Sequence, residues 1–332
     1  MPSPLLSTLT PFVARFDRAT VLAPGLFVSL DKRKRRATGG DSALQVAFVF
    51  QKLKRTVNFE GPEQLGASDL RALQGLMSMA TAAGLGRVAA GSAVLAGGWQ
   101  ELVRACGVHS KAGKTIEPRS TSGRRSEQLQ KSLRRLGSVR VTASDRADGG
   151  EPLVSTDPSC DTRDGFRVSF CAELMGALGA GSNGKQYLTV DMVEARELRT
   201  DAARLLYFRL ANVNAGTSRE FTQAEMEHML WGADEADTDA IRKHRRRLLA
   251  QAVAAVSGLK GWNVQAVQGV RGHGSGECLD QSRVALPRSA RPEVIPAGHQ
   301  IASRGLAMGF CASACTCTRG GASRLLFAVS LP

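Results

Sequence analysis

Aromatic residues are scarce in this chain. Three Trp and two Tyr occur among its 332 residues. Proteins that bind single-stranded nucleic acid without sequence preference present several aromatic side chains on which bases stack, so the composition does not favour that class. Recognition of a duplex by helices fits the composition better.

Long apolar runs are also lacking. No stretch reaches the roughly 18 uninterrupted apolar residues of a membrane-spanning helix, and residues 1–18 lack the basic region and cleavage site of a secretory signal. The seven cysteines are odd in number and irregularly spaced, which opposes a disulfide framework of the secreted type. The sequence therefore predicts a cytoplasmic protein with reduced thiols and no membrane partner.

Metal and nucleotide sites are poorly supported. Cys311, Cys315 and Cys317 lack the C-x-x-C spacing of common zinc sites. The segment Gly179–Gln186 has the glycine and lysine spacing of a phosphate-binding loop, but Gln186 stands where a Ser or Thr would hold Mg²⁺. His109, His228 and His244 stand alone, without a recognisable arrangement of nucleophile and carboxylate around them. We expect no metal, no cofactor and no enzymatic activity.

Acidic residues are outnumbered by basic ones. The chain has 44 Lys and Arg against 30 Asp and Glu, which gives a formal net charge of +14. Such an excess attracts a polyanion. Together with the shortage of aromatic residues, it makes double-stranded DNA the expected partner.

The first half of the chain has the element order of a winged helix-turn-helix module. Leu44–Phe50 and Thr56–Phe59 are rich in β-branched and aromatic residues, which predicts two strands that pair as a hairpin. Apolar residues at three- and four-residue spacing, ended by glycines, then predict helices. These are Ser68–Gly84 with Ser68 as N-cap, Trp99–Cys106 and 121–136, followed by strands Val139–Thr142 and Phe166–Phe170 around a polar loop, 144–165.

The same order recurs in the second half without obvious sequence identity. Thr222 and Glu225 have the spacing of a capping box at the start of a helix. The predicted elements are helices Thr200–Leu210, Thr222–Leu230 and Thr238–Val256, a break at Gly258–Gly261 and a strand at Trp262–Gln268, preceded by the glycine-rich linker or turn Gly176–Gly184.

These patterns predict an α+β, helix-rich fold with tandem winged helix-turn-helix domains. We expect an N-terminal arm and β-hairpin over residues 1–60, a first winged-helix domain over 61–175 and a second over 185–272. Residues 273–332 are Gly-, Arg- and Cys-rich and lack periodicity, which predicts a loosely ordered tail, above all over 287–332. That composition also raises the hypothesis of a reading-frame change near residue 272, which sequencing the locus for an alternative frame would test.

The third predicted helix of each module carries a basic face. Wound at about 100° per residue, helix 121–136 places leucines on one side and basic or amide side chains on the other. An Arg, Gln and Lys stripe suits base readout in the major groove, although Lys131 could equally contact phosphate. The candidate DNA-binding residues on this helix are Arg124, Arg125, Gln128, Lys131 and Arg135.

Helix 238–256 repeats this arrangement with a denser basic run. Lys243, Arg246 and Arg247 point outward, whereas Arg242 and Arg245 lie nearer the apolar side. For those two we expect a flanking phosphate or carboxylate contact instead of base readout. A charge run is often only a solvated face, but two such helices at the same place in a repeated order favour DNA contact.

Four segments resemble the RepC replication initiators of IncQ-type plasmids. They are Val21–Phe27 (VLAPGLF), Phe59–Leu76 (FEGPEQLGASDLRALQGL), Thr200–Leu206 (TDAARLL) and Gly261–Val264 (GWNV). The four segments occur in the same order as in that family, over roughly residues 20–270. It implies binding to direct repeats (iterons) at a plasmid origin, opening of adjacent A·T-rich DNA, and recruitment of a plasmid helicase and primase, with self-association as a further expectation. The rival function is a winged-helix transcriptional regulator, which would bind an operator without opening DNA.

Overall fold

The structure is a computed structural model, and it describes the chain in ten stretches. These are residues 13–29, 43–87, 93–107, 122–146, 149–157, 165–179, 187–213, 217–232, 238–268 and 325–330. The chain divides into two compact units, residues 1–267 with 325–332, and residues 268–324. Of the second unit only Gln268 is described, so the account below concerns the first.

The described residues form a mixed helix and strand fold. In the first part of the chain the elements are β1 (Val13–Asp17), α1 (Arg18–Leu22), β2 (Phe27–Val28), β3 (Leu44–Phe50), β4 (Arg55–Gly61), β5 (Leu65–Gly66), α2 (Ala67–Ala82), β6 (Leu95–Gly97), α3 (Trp99–Ala105), α4 (Ser122–Ser138), β7 (Arg140–Ala143), β8 (Glu151–Pro152), β9 (Val154–Thr156), β10 (Phe166–Phe170) and α5 (Ala172–Leu178). Then follow β11 (Tyr187–Asp191), α6 (Met192–Glu197), α7 (Asp201–Leu210), β12 (Ser218–Thr222), α8 (Gln223–Trp231), α9 (Asp239–Ser257), β13 (Asn263–Gln268) and β14 (Leu325–Ser330).

Small sheets link distant parts of the chain. The largest has the order β3-β4-β7-β8, and two three-stranded sheets have the orders β6-β10-β9 and β12-β14-β13. β1 pairs antiparallel with β11, so that Val13 faces Asp191. β2 and β5 form a short parallel pair.

A single apolar core runs beneath these elements. α2 lies at its centre and packs against β1, α3, α4 and α7. Phe208, on α7, is fully buried and meets the rings of Phe16 and Phe27 edge-on at centroid distances of 5.1 and 6.2 Å. These three rings join the N-terminal segment to the second half of the chain. None of the described helices is long and apolar enough to cross a bilayer.

Most of the predicted elements are confirmed. The hairpin forms with Leu44 opposite Gly61 and Phe50 opposite Arg55, and the helices and strands predicted in both halves are present within a few residues of their expected bounds. The predicted capping box of α8 is also present, since Thr222 Oγ1 accepts from the backbone N–H of Glu225 at 3.1 Å. Local sequence patterns and cap chemistry were therefore sufficient to locate these helices and strands.

Four predictions of local structure are wrong. Ser68 does not cap α2, because Gly66 is the N-cap and its N–H donates to Asp69 Oδ2 at 2.9 Å. The polar loop 144–165 contains the short strands β8 and β9. The glycine-rich linker begins inside α5, which continues through Gly176 to Leu178. Leu325–Ser330 is not loosely ordered, because its apolar residues pair with β12 and bury Phe327 and Val329.

The expected boundary at residue 60 falls within a sheet. β4 spans it and pairs with β3 on one side and with β7 on the other. The hairpin is therefore continuous with the strands that follow α4, and it is not a separate N-terminal element. The larger division into two winged-helix domains stays a prediction.

Candidate nucleic-acid interface

α9 is an amphipathic helix with one buried and one basic side. Thr238 caps its N-terminus, with Oγ1 accepting from the N–H of Ile241 at 3.3 Å. Leu249, Ala252 and Val256 are buried at three- and four-residue spacing, which fixes the face turned to the protein. That face packs against α7 and α8. The opposite side of the helix is exposed.

Three cations occupy the outer side of α9. Lys243, Arg246 and Arg247 are exposed, as the sequence predicted. Taking the buried residues as the inward direction and 100° per residue, Lys243 and Arg247 point most directly outward, and Arg246 lies toward one side. Lys243 and Arg247 are one turn apart, which is the spacing of neighbours on one helix face.

Arg245 does not belong to this outer set, contrary to the prediction that it contacts DNA. Its side chain is buried, and its guanidinium lies 5.4 Å from the centroid of the buried Trp231 ring on α8. A cation over an aromatic face in a desolvated position contributes to packing. We therefore assign Arg245 to holding α9 against α8, which agrees with its expected place near the apolar side.

Arg242 is exposed at the first turn of α9. Its Nη2 lies 2.8 Å from Asp239 Oδ1, and both side chains are largely in solvent. An exposed pair of this kind contributes little to stability. Arg242 can therefore exchange Asp239 for a phosphate, and its flanking contact to DNA stays a prediction.

A carboxylate fixes the end of α9 to the helices beneath it. Glu194 Oε2, on α6, accepts from the Tyr207 hydroxyl at 2.8 Å and from Trp262 Nε1 at 3.0 Å. The two rings meet at a centroid distance of 5.3 Å. Burial, and secondly the hydrogen bond to Glu194, raise the pKa of Tyr207, so its phenol keeps the proton that it donates. The turn after α9 is thereby held in place.

α4 is the second predicted DNA-contacting helix, and its inward face is confirmed. Leu129, Leu133 and Leu136 are buried and pack against α2 and α3. Gln128 and Lys131 are exposed on the opposite side. Lys131 Nζ lies 2.7 Å from Glu127 Oε1 in an exposed pair one turn apart. Gln128 and Lys131 remain predicted DNA contacts.

Arg135 has a different environment from the one the helical wheel suggested. Its Nε and Nη2 donate to Asp69 Oδ1 at 3.0 and 2.6 Å, and Nη2 also reaches Ser132 Oγ at 3.2 Å. Asp69 is 2% exposed and Arg135 is 27% exposed. We therefore reassign Arg135 to joining α4 to α2. Its partner Asp69 could not be identified from the sequence.

The remaining predicted site residues are only partly described. Arg125 is half-buried on the first turn of α4, and the side chain of Arg124 lies outside the described part. The expected N-terminal arm contains the basic sequence Asp31–Arg36 (DKRKRR), which also lies outside the described part. The same holds for the cluster of Cys311, Cys315 and Cys317 and for the end of the glycine-rich segment after residue 179. Within the described ranges, no group of three His, Cys, Asp or Glu side chains could hold a metal ion.

Two residues on the outer side of α9 were missed by sequence reasoning. His244 and Gln251 are exposed there, and His244 Nδ1 lies 3.2 Å from Arg247 Nη2. The histidines were considered only as catalytic groups, so His244 was set aside. Its three-residue spacing from Arg247 is the signal that would have connected the two side chains.

The β12-β14-β13 sheet lies in the same half of the chain as α9. β12 pairs antiparallel with β14, from Ser218 opposite Ser330 to Thr222 opposite Leu326. Arg219, on β12, lies with its guanidinium 5.0 Å from the centroid of the Phe221 ring. Helix α8 begins directly after β12, so the sheet is tied to the helix that packs under α9.

Comparison with known proteins gives a family match over most of the chain. The model of a family described as Replication protein C (RepC) matches residues 9–93 and 107–270. The matched residues include α2, α4 and α9. A search of curated proteins finds no match.

Solved structures with a similar course of the chain include those of a Pi initiator protein and of RctB. One is a Pi initiator protein in complex with iteron DNA, at 11% identity and a TM-score of 0.44, covering 80% of this chain and 91% of that one. The other comprises domains 2 and 3 of RctB, at 8% identity and a TM-score of 0.44, covering 74% and 90% respectively. Scores of this size add no argument to the family match.

Proposed function

Because the chain belongs to the replication protein C (RepC) family, we propose that it is a plasmid replication initiator that binds direct repeats at an origin. The observation that carries this proposal is the outer side of α9, where Lys243, Arg246 and Arg247 are exposed on a helix whose opposite side is buried. An α-helix of this kind fits the major groove. The net charge of +14 favours the same partner.

We propose that each half of the chain is a winged-helix domain. The order α2, α3, α4 and then strands in the first half parallels α7, α8, α9 and then β13 in the second, and in each case the third helix is the basic one. In winged-helix proteins that helix enters the major groove. α9 would then supply the main base contacts, and α4 would contact neighbouring DNA through Gln128 and Lys131.

The first test of this proposal is binding to direct-repeat DNA from the replicon that encodes the chain. We expect the repeat duplex to bind about 10³-fold more tightly than a scrambled duplex of equal length at physiological salt. Raising the salt from about 50 to about 200 mM should weaken binding to both by about 10³- to 10⁵-fold if six to ten phosphates are neutralised. Equilibrium fluorescence anisotropy measures both quantities.

A scrambled duplex that binds as well as the repeat, with the same salt dependence, would refute site recognition and leave only a general attraction to polyanions. A repeat preference that disappears in the variant Arg247→Ala, with a small change in the salt slope, would support readout by α9. Arg199→Ala, an exposed change between α6 and α7 that removes the same charge, is a matched control that leaves the α9 face intact.

The later steps of initiation are a further part of the proposal. We propose that the bound protein opens adjacent A·T-rich DNA by binding energy alone, without an enzymatic step, and that it recruits a helicase and a primase encoded by the plasmid. Self-association on adjacent repeats and action in the cytoplasm belong to the same proposal. The family membership supports these steps, because they are what such an initiator has to accomplish.

Replication in trans separates an initiator from a transcriptional regulator. A plasmid that carries the origin without its initiator gene should be maintained in cells that express this chain, and should be lost in cells that express Arg247→Ala. The measurement is plasmid copy number over successive generations. Tight binding to the repeats with no maintenance of the plasmid, when helicase and primase are supplied, would favour the regulator.

A further inference from the structure

Two exposed side chains on the outer side of α9 are in polar contact. Arg247 Nη2 and His244 Nδ1 are 3.2 Å apart. The residues are three positions apart on the helix, so their side chains leave it as neighbours. Lys243 lies one turn before Arg247 and Gln251 one turn after it, and both are exposed. The contact thus sits in the middle of the side available to DNA.

The chemistry of the two groups decides which of them donates the hydrogen bond and which accepts it. A guanidinium has five N–H donors and no acceptor. Arg247 must therefore donate, and His244 Nδ1 must accept with its lone pair. The imidazole is then neutral and carries its proton on Nε2. The contact leaves Nε2–H and the remaining guanidinium N–H groups as donors.

We infer that His244 is a positioning residue for base recognition, which holds the Arg247 guanidinium in the orientation that reads a guanine. The inference rests on the proposed function. A free arginine side chain has many rotamers, and a hydrogen bond that it donates to a neighbour reduces the number of rotamers that must be lost on binding. His244 and Arg247 together present only donors, and guanine presents the acceptors N7 and O6 in the major groove.

The inference assigns separate tasks to four neighbours on one helix face. Arg247 reads the guanine with two N–H groups, and His244 fixes its plane. Gln251 lies a turn further along and carries both a donor and an acceptor, which is the combination that bonds adenine N6 and N7. Lys243 carries a positive charge but lacks the planar guanidinium of arginine, so it suits a phosphate contact.

The test is selection of binding sites from a randomised duplex library by the full-length chain and its variants. Arg247→Ala should lower the preference for guanine at one position by about 5- to 150-fold, the range of one good bidentate base contact. His244→Ala should lower the preference at that same position by about fivefold, which corresponds to one hydrogen bond. The double variant should resemble Arg247→Ala, because His244 acts through Arg247.

Two conservative variants separate positioning from helix stability. Asparagine carries its oxygen on Cγ, as histidine carries Nδ1, so His244→Asn should keep the guanine preference. Glutamine carries its oxygen one bond further out, so His244→Gln should lose it. Helix propensity predicts the opposite order, because glutamine is the better helix former.

Several outcomes would overturn the inference. His244→Ala could leave every base preference unchanged, His244→Gln could match His244→Asn, or His244→Ala could weaken all sequences equally. Retention of the guanine preference by Arg247→Ala would overturn it while leaving the proposed function intact. If the unaltered chain selects no sequence at all, the proposed function fails, and the inference fails with it.

Discussion

Replacing Arg135 with alanine should lower the free energy of unfolding by about 3 kcal/mol and leave base preference unchanged. The variant would leave the Asp69 carboxylate buried with only the Gly66 N–H donating to it among the contacts described above. Removing one partner of a buried ion pair typically costs about 3–5 kcal/mol. The lower end applies, because Arg135 is 27% exposed and solvent screens the pair. Urea denaturation measures the loss.

Arg134→Ala is the matched control for this variant. Arg134 is the preceding residue of α4 and is exposed, so its replacement should change stability by less than about 0.5 kcal/mol. Site selection from a randomised library tests the second half of the prediction. If Arg135→Ala is as stable as the unaltered chain but loses a base preference, Arg135 reads DNA and its assignment to the α2–α4 contact is wrong.

Replacing Phe208 with alanine should lower the free energy of unfolding by about 3–5 kcal/mol. The ring is fully buried between Phe16 and Phe27, and truncating a buried phenylalanine removes its transfer free energy and leaves a cavity. The N-terminal segment 13–28 loses this ring contact with α7 in the variant. Limited proteolysis should therefore cut that segment earlier than in the unaltered chain.

Leu53→Ala controls for a general loss of apolar area. Leu53 is 70% exposed at the turn between β3 and β4, so removing its side chain should have little effect on stability. A small loss in Phe208→Ala, comparable with that of Leu53→Ala, would show that the three-ring contact does not hold the segment. Phe208→Leu, which keeps an apolar side chain in the gap, should lose less than Phe208→Ala.

The sequence was sufficient to predict elements whose signals are local. Three- and four-residue spacing of apolar side chains located α2, α4 and α9, and cap residues such as Thr222 and Thr238 located helix starts. The same periodicity distinguished the buried face of α9 from its exposed one. Lys243, Arg246 and Arg247 were placed correctly on the exposed face because all the information required lies within one helix.

Features that depend on distant partners could not be predicted in this way. A helical wheel places Arg135 on the side away from the leucines and Arg245 nearer the apolar side, but it does not show that Asp69 or Trp231 meets them. The pairing of β1 with β11 likewise joins residues at least 170 positions apart in the chain, since Asp17 lies opposite Tyr187. Short strands such as β8 contain too few residues for an alternating pattern to emerge.

The position of β14 has a consequence for how the chain folds. β14 lies between β12 and β13, and its partners are more than 100 residues away in β12, with Ser218 opposite Ser330. Contacts of such large sequence separation form slowly, because the chain entropy is lost before the contacts are gained. α8 and α9 precede β14 in the chain and can form from local contacts alone. During synthesis, the edges of β12 and β13 that face β14 therefore stay unpaired until the last of these strands has emerged, and that interval is when this part of the molecule is most exposed to aggregation.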